Sequence, residues 1–157
     1  HGKPATARDR NFWGVTFTPD GRGFYATLGT SGRTLLVLGE VAAGRMRVDR
    51  DDVECPSLSP DGTKVAFKRR QSSGGQGRLV WGLHVLELAT GKETALRSEV
   101  RNVDDQIEWL DDRELLYAMP EGEITASAST HIWAIAADGI SAPRLLVPLA
   151  FSPAVIR

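Results

Sequence analysis

A repeated strand–turn–strand unit constrains the fold of this chain more than any other feature. Three segments share it: "GVTFTPDGRGFYATL" (14–28), "CPSLSPDGTKVAFKR" (55–69) and the shorter "QIEWLDDRELLYAM" (106–119). In the first two, Pro fixes φ, Asp bonds its own backbone and Gly supplies a positive φ, which together favour a tight turn. The predicted turn residues are Pro19, Asp20, Gly21, Pro60, Asp61 and Gly62. Each unit is therefore predicted to join two short antiparallel strands.

A second repeated unit follows each of these. Its copies are "RTLLVLGEVAAGRMRV" (33–48), "WGLHVLELATGKETAL" (81–96) and "HIWAIAADGISAPRLL" (131–146), each an apolar strand, a turn containing Gly and a shorter strand. The turn aspartates Asp20, Asp61 and Asp112 lie about 41 and about 51 residues apart, a period typical of β-propeller blades. The predicted fold class is all-β, with about three four-stranded antiparallel blades plus one extra strand.

The repeat also sets the expected domain boundaries. Residues 1–10 read as a linker or tag remnant, and 11–157 as a partial propeller. The expected blades span about 11–50, 53–100 and 103–148. A closing strand is expected over 149–157, because Phe151-Ser152-Pro153 repeats the start of the turn motif.

Three blades do not close a ring, since propellers close with roughly four to eight blades. An open array exposes an apolar face at each end. Three completions are open: a longer parent chain, which we favour because residue 1 is His and not Met, a homodimer that completes the ring, or pairing of the two ends.

Composition narrows the classes of partner. With 157 residues, 41% of them hydrophobic and 25% charged, the chain can form one packed core. Nineteen basic and 20 acidic residues give no field that would recruit nucleic acid, so no nucleic-acid partner is expected. The sequence contains no run of ~18 apolar residues, so no transmembrane segment is predicted. The single cysteine, Cys55, is predicted to be a small buried core residue, and no cofactor is expected.

The two repeated units resemble those of a known family. "SPDGTKVAF" followed by "LHVLELATGKETAL" is similar to the WD-like propeller repeats of the TolB-like family, actinobacterial type, and the similarity extends from residue 11 onward. The resemblance implies a six-bladed propeller, an extracytoplasmic location at the periplasm or cell envelope of a bacterium, and a protein or peptide partner. Related blades occur in the propeller domains of prolyl oligopeptidase-type peptidases and in sugar-binding modules.

The sequence offers no catalytic constellation. It has no G-x-S-x-G nucleophile motif, so a serine hydrolase site is not expected. His84 and His131 lie on matching strands but are offset by one position, which points them to opposite faces and argues against a shared metal site. We therefore expect a chain without a catalytic or metal site, which is not an enzyme.

Two residue groups are candidates for binding. Asp51, Asp52, Asp104 and Asp105 lie on the connections into the second and third blades, where they are predicted to gather at one channel mouth and bind a cation or a basic peptide. The alternative is that these carboxylates cap turns and keep the rim hydrated.

Tryptophans form the other group. Trp13 and Trp81 have no apolar counterpart in the other blades and are candidates for an exposed recognition surface, with packing at the blade edge as the alternative. Trp109 shares a repeat position with Phe17 and Leu58 and is predicted to be core. The function that fits best is a non-enzymatic scaffold that binds a protein or peptide. The alternatives are the propeller part of an enzyme, either peptidase-gating or lactonase-like, and a sugar-binding module.

Overall fold

The computed structural model describes residues 10–73, 78–120 and 129–156. Within these ranges the chain forms β-strands and no helix, which confirms the all-β prediction. In chain order the strands are β1 (Arg10–Phe17), β2 (Gly23–Thr30), β3 (Arg33–Glu40), β4 (Arg45–Asp51), β5 (Val53–Leu58), β6 (Lys64–Ser73), β7 (Arg78–Glu87), β8 (Glu93–Ala95), β9 (Ile107–Trp109), β10 (Glu114–Pro120), β11 (Thr130–Ala136) and β12 (Arg144–Val147). No helix in the described part is long and apolar enough to cross a membrane.

The strands form three four-stranded sheets, each an antiparallel meander in chain order. We call them blade 1 (β1–β4), blade 2 (β5–β8) and blade 3 (β9–β12). The first strand of each blade lies on the inside of the array, because β5 contacts both β1 and β9. The last strands of blades 1 and 3 lie on the outside and are largely exposed. This is the arrangement of adjacent propeller blades, and it confirms the three predicted four-stranded units.

The predicted turns form as the sequence indicates. Gly21 and Gly62 have φ of +67° and +71°, and their amides donate to the carbonyls of Thr18 and Ser59 at 2.8 Å. Hydrogen bonds from the Ser59 hydroxyl and from Thr63 lower the pKa of Asp61 to about 2. The third turn lacks Pro and Gly, and there Asp111 accepts from the amides of Arg113 and Glu114 at 2.7 and 2.9 Å.

These turns lie together on one edge of the array, which we call the turn edge. Neighbouring turns are in contact, since the Asp61 amide donates to Asp112 Oδ1 at 2.8 Å. The segments that lead from one blade into the next lie on the opposite edge, which we call the connection edge. There the amide of Asp52 donates to the Thr34 carbonyl at 2.9 Å, and the amide of Val103 donates to the Trp81 carbonyl at 3.0 Å.

Apolar side chains fill both spaces between blades. Between blades 1 and 2 the cluster contains Tyr25, Leu36, Val53, Leu58, Val65, Phe67 and Leu86. Between blades 2 and 3 it contains Ala66, Leu83, Val85, Leu96, Val103, Ile107, Trp109, Leu115, Tyr117, Met119 and Ile135. Trp109 is fully buried and its Nε1 donates to the Ser57 carbonyl at 2.8 Å, which confirms its core assignment. Cys55 is also buried, as predicted.

The two ends of the array differ from each other. The outer face of blade 1 is exposed, whereas Ala150 and Val155 pack against an apolar cluster on the outer face of blade 3. The described residues 148–156 form no strand, so this cover replaces the strand expected over 149–157. Of the expected linker at 1–10, only Arg10 is described, and it begins β1.

Candidate functional site

The six candidate residues lie along the connection edge, but they do not form one cluster. Asp51 ends β4, and its Oδ2 lies 2.8 Å from Arg33 Nη2 in an ion pair whose side chains are both more than half exposed. Asp52 follows with a φ of +55°, and its carbonyl accepts from the Arg70 amide at 3.0 Å. Its backbone therefore joins blade 1 to blade 2, while its side chain is exposed.

Asp104 and Asp105 do share a cavity. It has a volume of about 350 Å³ and is lined by Asn102, Asp104, Asp105, Ala118, Met119, Pro120, Thr130, Phe151 and Ser152. The Asp104 side chain is exposed. Asp105 Oδ2 accepts from the Ser152 amide at 3.0 Å, which ties the C-terminal segment to the connection into blade 3. The cavity therefore has a carboxylate on one wall and apolar side chains on another.

A buried lysine sits between the connections into blades 2 and 3. The Lys68 side chain is 1% exposed, and its Nζ donates to the Asp104 carbonyl at 3.0 Å and lies 3.6 Å from Glu54 Oε2. A buried ammonium group is tolerated only when charge and hydrogen-bond partners surround it. Lys68 thus links the first residues of blade 2 to the segment that precedes blade 3.

Trp81 lies beside this lysine. Lys68 Nζ is 5.7 Å and the Arg70 guanidinium 4.9 Å from the centre of a Trp81 ring. The Trp81 amide donates to Asn102 Oδ1 at 2.8 Å. The half-buried Trp81 ring is therefore in contact with two cations and lies under the connection to blade 3.

Trp13 packs against its own blade. Its ring lies across Gly29, where a Cβ would come within 2.6 Å of the ring, so only glycine leaves room for this tryptophan. Trp13 is half-buried, and its strand runs beside Cys55. Both candidate tryptophans thus have intramolecular packing partners, which is the alternative that the sequence left open.

Lys68 is not among the residues predicted from the sequence, although the repeat carries a signal for it. Lys68 occupies the second-strand position that Thr27 holds in blade 1, and both side chains bind backbone of the following segment. Thr27 Oγ1 accepts from the Cys55 amide at 2.8 Å, just as Lys68 donates to Asp104. A polar residue in an otherwise apolar second strand was the sign that this position has a specific partner.

A second polar cluster lies where the connection passes over blade 3. Glu99 accepts from Arg101 Nε at 2.8 Å and from the Tyr117 hydroxyl, and the Arg101 guanidinium stacks 4.3 Å from the Trp133 ring centre. Burial opposes ionisation of Glu99, but the hydrogen bonds from Arg101 and Tyr117 hold its pKa below the ordinary value. Burial and the neighbouring Glu99 raise the pKa of Tyr117. The cluster fixes the path of this connection.

The histidines have separate partners. His84 Nδ1 lies 2.8 Å from Glu93 Oε1, and His131 Nδ1 accepts from the Leu149 amide at 3.0 Å. Within residues 10–73, 78–120 and 129–156, no group of three or more His, Cys, Asp or Glu side chains is placed to hold a metal ion. Among the predicted acidic residues, the exposed carboxylate at the cavity, Asp104, remains the best-placed binding group.

No protein-family model matches this chain, and a comparison with curated proteins finds no match in sequence. Solved structures do match. An acylaminoacyl peptidase aligns over 95% of this chain and 27% of its own length, with a TM-score of 0.69 and 16% identity. The β-propeller domain of the Trilobed protease from Pyrococcus furiosus aligns over 87% of this chain and 42% of its own, with a TM-score of 0.63 and 18% identity.

An oligogalacturonate lyase aligns over 89% of this chain and 41% of its own length, with a TM-score of 0.58 and 18% identity. The chain therefore spans between about a quarter and about two fifths of the length of these structures. At such identities the likeness shows the fold alone. The chain forms three adjacent blades of a β-propeller, and its structural neighbours include the propellers of peptidases and lyases.

Proposed function

We propose that this chain is a non-catalytic propeller segment that binds an extended protein or peptide segment at the connection edge. The observation that carries the proposal is the cavity of about 350 Å³ beside Asp104, which combines an exposed carboxylate with apolar walls. Binding sites are typically apolar concavities with a few placed polar groups. This one is formed by the connection into blade 3 together with the C-terminal segment.

The chemistry of the cavity selects a ligand type. Asp104 supplies a negative charge, while Pro120 and Phe151 supply apolar contacts. A peptide with an arginine or lysine next to an apolar residue satisfies both features, and a charge-assisted bond to the carboxylate orients it. The nearby cations have other partners: Lys68 Nζ donates to the Asp104 carbonyl and lies 3.6 Å from Glu54 Oε2, and the Arg70 guanidinium lies against the Trp81 ring.

The experiment is a fluorescence-anisotropy titration of the chain with two short labelled peptides, one with a central Arg between apolar residues and one with Glu in its place. We expect the Arg peptide to bind more tightly, and Asp104→Asn to weaken it by about tenfold, which is ~1.4 kcal/mol. Glu40→Gln on the turn edge is the control, because it removes one exposed carboxylate at the opposite edge. Equal affinity for the two peptides would disprove the proposal.

The finer assignment to a TolB-like protein at the bacterial cell envelope is part of this proposal. It is supported by the two Pro-Asp-Gly turns with their paired strands, which the fold accommodates as the inner hairpins of blades 1 and 2. Fractionation of cells that express the full-length natural protein tests the location. Recovery in the cytosolic fraction would refute an extracytoplasmic role.

A second candidate function is the propeller part of an enzyme, in which the blades gate a separate catalytic domain. The observation that favours it is that several structural neighbours are peptidases that contain propellers. Labelling of the full-length natural protein with a fluorophosphonate probe distinguishes the two candidates. Covalent labelling of a serine supports a gated peptidase, and absence of labelling supports the scaffold.

A further inference from the structure

The outer face of blade 1 carries an unusual concentration of exposed apolar side chains. Phe12, Val15, Phe17 and Met46 are 45%, 51%, 60% and 52% exposed. Together with Phe24 and Ala26 they line a depression of about 500 Å³ with almost no polar surface. Contiguous apolar surface of this kind marks an interaction site more often than isolated exposed residues do.

The internal repeat shows what normally covers this face. With the 41-residue offset between the two turns, Phe12, Phe17, Phe24 and Ala26 correspond to Val53, Leu58, Val65 and Phe67 of blade 2. All four blade 2 residues are at most 6% exposed. The residues that cover them come from the second and third strands of the preceding blade: Tyr25, Leu36 and Leu38.

Blade 3 repeats the same relation. Trp109, Leu115 and Tyr117 occupy the same positions as Leu58, Val65 and Phe67, since Leu58 pairs with Val65 and Trp109 pairs with Leu115. They are fully buried, and the preceding blade covers them through Ala66, Leu83 and Val85. In both cases that can be observed, this face of a blade therefore packs against the opposite face of the preceding blade.

The far end of the array does not offer a matching free face. On blade 3, Leu116, Ala118, Ile132 and Ala134 are covered by Ala150 and Val155. Hydrogen bonds from the Ala150 amide to the Thr130 carbonyl and from the Ser152 amide to Asp105 Oδ2, both at 3.0 Å, hold this cover in place. A ring of two copies would have to displace this segment twice.

We propose that the outer face of blade 1, defined by Phe12, Val15, Phe17, Phe24 and Met46, docks one further four-stranded blade of the same repeat. The docking blade supplies apolar side chains from its second and third strands, at the positions of Tyr25, Leu36 and Leu38. The proposal is independent of the ligand proposed for the connection edge, because it concerns a different face of the molecule.

The test uses blade 1 itself as the probe, since blade 1 already covers the same positions of blade 2. A copy of residues 10–52 is added in front of residue 12 of the chain, which reproduces the junction between residues 52 and 53. Phe17→Cys in the original blade 1 reports on coverage through its rate of reaction with a thiol reagent, and Cys55 is buried. We expect the added blade to slow labelling at position 17 by at least tenfold.

Two control variants make the result specific. Leu36→Lys within the added copy places a charge in the new interface and should restore fast labelling. Phe151→Cys lies at the other end of the array, where Phe151 is 76% exposed, and its labelling should be the same with and without the added blade. Slowing at both positions would mean general aggregation and would overturn the proposal.

Two further outcomes contradict the inference. Unchanged labelling at position 17 in the extended chain means that this face does not accept a blade. Concentration-dependent protection of position 17 in the unextended chain, together with a dimeric mass by light scattering, means that the face instead binds a second copy. Neither thiol labelling nor light scattering requires a measurable activity. The labelled position 17 carries a side chain that is exposed in the folded chain.

Discussion

Replacing Glu99 by Gln should destabilise the chain through loss of one buried charge. The Glu99 side chain is 1% exposed, and its oxygens accept from Arg101 Nε at 2.8 Å, from the Arg101 amide at 2.9 Å and from Tyr117. Removing one partner of a buried ion pair costs about 3–5 kcal/mol. The amide of Gln keeps some of these bonds and Arg101 is 25% exposed, so we expect a loss of about 3 kcal/mol, close to the lower end of that range.

The destabilisation by Glu99→Gln should depend on pH, which a loss of packing alone would not produce. The pKa of Glu99 is held below its ordinary value of 4.5. A depressed pKa stabilises the fold above the unfolded pKa, and that contribution is lost as the pH falls through the folded value. The difference between the wild type and Glu99→Gln should therefore be constant near pH 7 and shrink steadily below about pH 4.5.

Urea denaturation at several pH values, followed by tryptophan fluorescence, measures the free energy of unfolding. A loss of about 3 kcal/mol corresponds to a fall in Tm of roughly 6–12 °C for a chain of this size. Glu40→Gln is the matched control, because Glu40 is exposed and forms an ion pair with the exposed Arg45. A Glu99→Gln variant as stable as the wild type at pH 7, or a difference that persists unchanged at pH 3, would refute the role assigned to this cluster.

Three further substitutions and one labelling experiment test the fold. Gly62→Val should cost about 1–3 kcal/mol in thermal denaturation, because Gly62 has a φ of +71°, and unchanged stability would contradict the turn assignment. Gly39→Ala should also destabilise, by about 1–3 kcal/mol, because a Cβ would lie 2.1 Å from the Phe24 ring, whereas a neutral result would mean that this ring moves freely. Lys68→Met should lower the free energy of unfolding by about 1–3 kcal/mol through the unpaired Asp104 carbonyl and Glu54, and a stabilised variant would show that the buried charge serves no structural purpose. The Cys55 thiol, whose pKa is raised by burial, should react with a thiol reagent only when denaturant is added, and fast labelling of the native chain would place it on the surface.

The repeat made the blades predictable, because strand–turn–strand chemistry is local. Pro60, Asp61 and Gly62 specify a turn whatever surrounds them, and the meander follows from four such strands in succession. The core position of Trp109 was predictable for the same reason, since it shares a register with Leu58. Phe17 shares that register too, yet it is 60% exposed. The repeat predicts which face a side chain lies on, and a neighbouring blade decides whether that face is buried.

The candidate site was less predictable than the fold. The placement of Asp51, Asp52, Asp104 and Asp105 at one edge follows from topology, but which of them share a cavity depends on the C-terminal segment. The repeated Phe151-Ser152-Pro153 predicts a strand for that segment, but a strand requires a partner with free hydrogen-bonding groups. In the described residues it packs through Ala150 and Val155 on an apolar face instead.

One position in the second strand of each blade explains how consecutive blades are linked. In blades 1 and 2 the position holds Thr27 and Lys68, which bind backbone of the segment that follows. These polar groups are buried, so a blade without such a neighbour would leave them unsatisfied at a cost of about 1–3 kcal/mol. Blade 3 has Ala118 at this position, and Ala118 belongs to the apolar cluster that the C-terminal segment covers. An apolar residue there needs no hydrogen-bond partner, so this position distinguishes a blade that packs against another blade from one that packs against a single segment of chain.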